Sequence, residues 1–138
     1  MGKQIIYVAH PVSGDVKANC DKVLQWLRWL TAADPSRIYI APWVGEVLAH
    51  LDLDPIPDDF YDRVLSDDEE VVSRCDGILL VGGRMSTGMT RELAAARRAD
   101  KAVFDMTGFS VADDARADRD WRVSMTGRDY IDFHKAGA

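Results

Sequence analysis

The residues best equipped for chemistry lie in two neighbouring stretches of the 138-residue chain. Between 82 and 92 runs GGRMSTGMTRE, a loop of glycines and hydroxyls that leads into helical sequence. Gly82, Gly83 and Gly88 allow sharp turns and close approach of the backbone to a ligand. Ser86 or Thr87 can cap the following helix, whose first N–H groups then form an anion-sized opening with Met89 beside it. Glu92 follows within about a turn and holds a carboxylate near that opening. The second stretch is the helical sequence over 58–75, where Phe60, Tyr61, Val64, Leu65, Val71, Val72 and Cys75 form an apolar stripe. Asp68 interrupts the middle of it, while Asp67 points about 100° away. A carboxylate on a core-facing stripe is costly unless it is paired or lines a cleft. A structural role would pair it with Arg63 or Arg91.

Two carboxylates facing one pocket beside an anion nest suit cleavage of a glycosidic bond. One acts as nucleophile or stabilises an oxocarbenium-like transition state while the other manages protons. The chain carries no HExxH pair, cysteine cluster or Walker lysine, and its glycines do not make GxGxxG. No metal and no cofactor is therefore expected.

The elements that must position these groups alternate between strand and helix. Strands are expected at 3–9 (KQIIYVA), 37–41 (RIYIA), 77–81 (GILLV) and 101–105 (KAVFD). Helices are expected at 15–31, 44–51, 58–75 and 89–99. This order predicts a doubly wound, Rossmann-like or flavodoxin-like α/β domain with four or five parallel strands. Ligands of such sheets bind outside the carboxyl ends of the strands. That rule gathers Tyr7, His10 and Ser13 from the first unit with Gly83, Ser86, Gly88 and Glu92 from the third. Trp43, just past the second strand, is placed to stack on a base or to close the rim of the core. In the first helix, Val16, Cys20, Val23, Leu24, Leu27 and Leu30 share a face, with Trp26 and Trp29 on its flank. The flanking tryptophans are expected at the core edge or in a subunit contact. The acidic stretch 52–59 is read as a solvated linker or a lid, and 109–122 as a surface helix. The tail gathers Tyr130, Ile131 and Phe133 without a clear place.

Composition narrows the partners. Hydrophobic residues make up 47% of the chain and charged residues 29%, as in one ordinary globular domain. Seventeen basic against 23 acidic residues leave a net charge of −6, which argues against a nucleic-acid polymer as partner. No segment is long enough to span a membrane, and the N-terminal apolar run is too short for a signal peptide. Cys20 and Cys75 read as free buried thiols in a reducing cytoplasm.

The order IYVAHPVSGD, IAPW, an acid-bearing helix and CDGILLVGGRMSTGMTRE resembles the nucleoside 2-deoxyribosyltransferase-like superfamily, which includes 2′-deoxynucleoside 5′-phosphate N-hydrolases. The resemblance covers roughly 5–104, and its most specific piece is Ser86, Gly88 and Glu92. It implies that Glu92 is the nucleophile at C1′ of the sugar and that Asp68, eight positions ahead of Asp76, is the second acid. It also implies that Tyr7 is the site tyrosine and that Ser86 meets a 5′-phosphate. The hydrolases have an arginine where this chain has Ser13, so phosphate contact would fall to Arg84 or His10. The implied partner is a nucleoside or nucleotide, the reaction hydrolysis or deoxyribosyl transfer, and the assembly a homo-oligomer. The rival expectation is a non-catalytic binding module for a nucleotide or signal molecule.

Overall fold

A computed structural model describes residues 2–51 and 58–110. The strands are β1 (Gln4–Ala9), β2 (Arg37–Ile40), β3 (Gly77–Leu80) and β4 (Ala102–Asp105). The helices are α1 (Val16–Ala33), α2 (Pro42–His50), α3 (Phe60–Arg74) and α4 (Thr87–Arg98). The strands form one parallel sheet in the order β2-β1-β3-β4, flanked by the four helices. This is the expected Rossmann-like or flavodoxin-like architecture. From β1 the chain winds outward to β2, and from β3 it winds the other way to β4. The winding therefore reverses between β1 and β3, and at such a point an open sheet leaves a crevice at its carboxyl edge.

Strand alternation assigns the two sides of the core. Ile6, Val8, Leu79 and Val81 face one way and pack with Trp26, Trp29 and Leu30 of α1. Tyr7, Ala9, Ile78 and Leu80 face the other and pack with Trp43 and Val47 of α2, Phe60 and Val64 of α3, and Met89 and Ala96 of α4. The register sets Tyr7 beside Ile78 and Ala9 beside Leu80, so matched residues share a face.

Helix α1 corrects one expectation. Its buried row runs Cys20, Val23, Trp26, Leu30, with Trp29 alongside, and Leu24 stands exposed. Leu24 follows Val23 and is swung about 100° off that row. The two tryptophans meet edge to face at 5.9 Å between ring centroids inside the core, so neither is available for a subunit contact. Asp15 caps the helix by accepting the Ala18 N–H at 3.1 Å. At the other end the buried Asp34 accepts from Ser36 at 2.5 Å, from Arg37 at 3.1 Å and from the Tyr39 hydroxyl. Burial alone would raise the pKa of Asp34, but these three donors hold it below the ordinary value.

Helix α2 begins two residues before its expected start, because Pro42 suits the first helical turn and does not break it. Both cysteines are free and buried. No helix among the described residues is long and apolar enough to cross a membrane. Most of the acidic stretch 52–59, read as a linker or a lid, most of the surface helix expected at 109–122, and the Tyr130, Ile131, Phe133 cluster lie outside the described residues.

Candidate active site

A cavity of about 640 Å³ opens at the carboxyl ends of β1 and β3. That volume suits a drug-sized or nucleoside-sized ligand. Of the expected site residues, His10, Ser13, Trp43, Asp68, Arg84, Ser86, Gly88, Met89 and Glu92 all line it. Tyr7 stands just behind the lining, fully buried, and donates its hydroxyl proton to Glu92 Oε2.

The two carboxylates arrive from separate helices. Asp68 lies halfway along α3 and is 2% exposed, and Glu92 lies in the second turn of α4 and is 5% exposed. Packing of α3 against α4 turns both side chains inward. Neither is neutralised by an ion pair among the described residues. Arg63 pairs with Asp59 at 3.0 Å, and Arg91 with Glu69 at 2.6 Å and Asp62 at 3.1 Å. The cationic partners that a structural role for Asp68 would require are thus committed elsewhere. Asp68 Oδ1 is buried with no hydrogen-bond partner.

Burial is the main reason that both acids hold their protons unusually tightly. Asp68 is pushed up to about 7, with Glu46 and Asp67 adding to the effect of burial. Glu92 is pushed up to about 8, with Asp68 and Glu69 adding and the Tyr7 hydroxyl opposing. The nearby Tyr7 hydroxyl opposes the upward shift of Asp68 as well. Tyr7 itself is held protonated by burial and by these two charges. Close carboxylates of this kind lose their protons as a coupled pair. Around neutral pH the pair is partly protonated, so an acid and a base stand in one site.

The far side of the cavity has the opposite character. Ser86 caps α4 by accepting the Met89 N–H at 3.2 Å, as expected from the loop sequence. Arg84 supplies the one cationic side chain lining the cavity among the described residues, and its Nη2 donates to the Ser13 carbonyl at 3.1 Å. The two loops that follow β1 and β3 are therefore tied across the crevice. His10 is buried and donates Nδ1–H to the Pro11 carbonyl at 2.7 Å, which leaves Nε2 as an acceptor. Burial lowers its pKa to about 4, so the ring is neutral in the physiological range.

Gly82 makes this packing possible. Its φ is +107°, and a Cβ there would lie 2.6 Å from His10 Cδ2 and 2.6 Å from Pro11 Cδ. Gly82→Ala is expected to destabilise the fold by about 2–4 kcal/mol through backbone strain and displacement of His10. Urea denaturation of the variant against the parent chain measures the effect.

Two placements differ from expectation, and that of Trp43 decides between its two readings. Gly83 does not line the cavity; its Cα faces Ser110, to which a Cβ would come within 3.5 Å. The Gly82 N–H is held by the Phe109 carbonyl at 2.9 Å, which rotates the loop so that Gly83 turns away. Trp43 is a wall residue and not an open stacking surface, because it is buried and its indole N–H donates to the Val8 carbonyl at 3.1 Å. Tyr61 is not in the core: it is 45% exposed and lines the cavity, as does Met85 at 39%. Asp76, the strand-leading acid eight positions after Asp68, accepts the Ile5 N–H at 2.7 Å and ties β1 to the start of β3.

Comparison with known proteins adds a family and no activity. The profile of a domain family described as a domain of unknown function, DUF7768, matches residues 4–106, which take in the whole sheet and both acids. The chain belongs to that family. No curated protein matches it.

Proposed function

We propose that this member of the DUF7768 family cleaves the N-glycosidic bond of a nucleoside or nucleoside 5′-monophosphate, by hydrolysis or by transfer of the sugar to a second base. The observation that carries this reading is the pair Asp68 and Glu92, both buried in one cavity and free of ion pairs, with the Tyr7 hydroxyl donating to Glu92. The run Ser86, Gly88 and Glu92 supports it through its resemblance to the deoxyribosyltransferase-like enzymes.

Glu92 takes the nucleophile's role from the Ser86, Gly88 and Glu92 resemblance, and Asp68, facing the same cavity, is the second acid. Because Glu92 holds its proton more tightly than Asp68, the competent pair, Glu92 ionised and Asp68 protonated, is the minor of the two singly protonated forms. A Glu92 oxygen attacks C1′ as the C1′–N bond breaks. The bonding pair leaves with the base nitrogen, which takes the Asp68 proton. Water, or a second base, then attacks C1′, returns a proton to Asp68 and releases Glu92, so configuration is retained. Arg84, Ser86 and the opening of α4 stand where an anionic substituent of the sugar would be held.

The test is incubation with a panel of ribo- and deoxyribonucleosides and their 5′-monophosphates, with chromatography for free base. Release from at least one member supports the reading. Tight binding of one member without release from any would overturn it in favour of a binding module.

A further inference from the structure

Seven large hydrophobic side chains are exposed among the described residues, and two of them, Tyr61 and Met85, line the cavity that holds the acids. They come from different elements, the first turn of α3 and the loop after β3. Neither belongs to either side of the core, whereas the adjoining lining residues Val64 and Met89 are buried in it. Exposed apolar groups at the rim of a polar-floored cavity mark surface that a ligand covers.

Their chemistry narrows the part of the ligand concerned. The Tyr61 ring is braced edge-on by Phe60, with centroids 5.1 Å apart and planes at 71°, and Phe60 lies 4.5 Å from the His50 ring. A braced aromatic face and a polarisable thioether are suited to a flat, electron-poor ring. Trp43, the other aromatic in the lining, is sealed in the wall with its N–H committed to Val8. We propose that Tyr61 and Met85 form the contact surface for the planar heteroaromatic leaving group, and so set which base the site accepts.

This inference rests on the proposed glycosidic reading for its substrate class, and its test separates the two. Adenosine, thymidine and base-free 2-deoxyribose are titrated into the parent chain and into Tyr61→Ala, Met85→Ala and Tyr61→Phe by calorimetry. Base release is measured in parallel from whichever nucleosides the panel identifies. Tyr61→Ala and Met85→Ala are each expected to weaken nucleoside binding about tenfold, the scale of a lost base stack. Tyr61→Phe should bind like the parent chain, because the ring and not the hydroxyl is used, and any 2-deoxyribose affinity should be unchanged. Melting temperatures should match the parent, as expected for exposed positions, which separates a contact role from a structural one. If base release proceeds and Tyr61→Ala and Met85→Ala leave nucleoside affinity and KM unaltered, the inference fails and the glycosidic reading stands. If no release occurs but nucleoside binding falls in both alanine variants, the inference stands and the glycosidic reading fails. Absence of binding by both nucleosides, with no release from the panel, overturns the inference.

Discussion

Replacing Glu92 by glutamine is expected to abolish base release, by roughly 10⁴-fold, the scale on which loss of a nucleophile acts. Glutamine keeps the shape of the side chain and a carbonyl oxygen for the Tyr7 hydroxyl, so the cavity survives while the nucleophilic oxygen is lost. Asp68→Asn is expected to cost less, roughly 10²–10³-fold, because it removes a proton donor and not a bond-forming atom. The Asp68 deficit should shrink for nucleosides whose base leaves readily, since such a base needs little protonation. That for Glu92 should not shrink. Steady-state rates of both variants on two nucleosides of different leaving-group ability separate these roles. Equal losses independent of leaving group would remove the acid role from Asp68. The pH profile is a further check: with groups near 7 and 8, activity should peak in a narrow band between them.

The second large effect is on stability. Both acids have folded-state pKa values above the ordinary 3.8 and 4.5. Between about pH 4 and 8 the native chain therefore keeps protons that the unfolded chain has released, and stability falls as pH rises through that window. Each fully displaced group lowers stability by about 1.36 kcal/mol per pH unit. His10 works in the opposite sense: its pKa is lowered from 6.5 to about 4, so its contribution makes stability rise with pH over that interval and offsets one carboxylate. Above about pH 6.5 the offset ends, and the steepest loss is expected from there to about 8. From pH 6 to pH 9 the loss is of order 3 kcal/mol. The double variant with Asp68→Asn and Glu92→Gln should flatten this slope, be more stable than the parent at pH 9 and match it near pH 4. Urea midpoints across the pH range measure this, and parallel curves for the two chains would refute it. The expected result places the site among those whose function costs stability.

Asp68 was legible in the sequence because a helix samples its environment at a fixed spacing. Among Phe60, Val64, Val71 and Val72, a single carboxylate stands out as a break. Glu92 was legible for a different reason, since glycines and a capping serine ahead of a helix leave few structural explanations. Tyr7 gave no comparable signal. It lies in a strand apolar on both faces, where a tyrosine looks like any other core residue; its place near the carboxyl end of β1 brought it to the crevice, and the resemblance gave it a role. Tyr61 misled because it directly follows the buried Phe60 and is swung about 100° off the row of Phe60, Val64 and Asp68, onto the cavity rim. Met85 carried a readable sign, an apolar residue amid glycines and hydroxyls. Trp43 and Leu24 depended on the rotation of their helices, which is set by partners distant in sequence. The strand order of the sheet was likewise expected only in outline, because pairing of β1 with β3 is a choice that neither strand's residues encode alone.

That pairing has a consequence for how activity is acquired. Residues 2–51 contain Tyr7 but neither carboxylate, and 58–110 contain both carboxylates but not the phenol that donates to Glu92. Alignment of Ile6 with Gly77 across the sheet is the event that brings the two inventories together. On the proposed reading, a partly folded chain lacks the Tyr7–Glu92 hydrogen bond, and glycosidic chemistry would begin only once the non-local topology is complete. On that reading, catalysis and correct assembly are one and the same test.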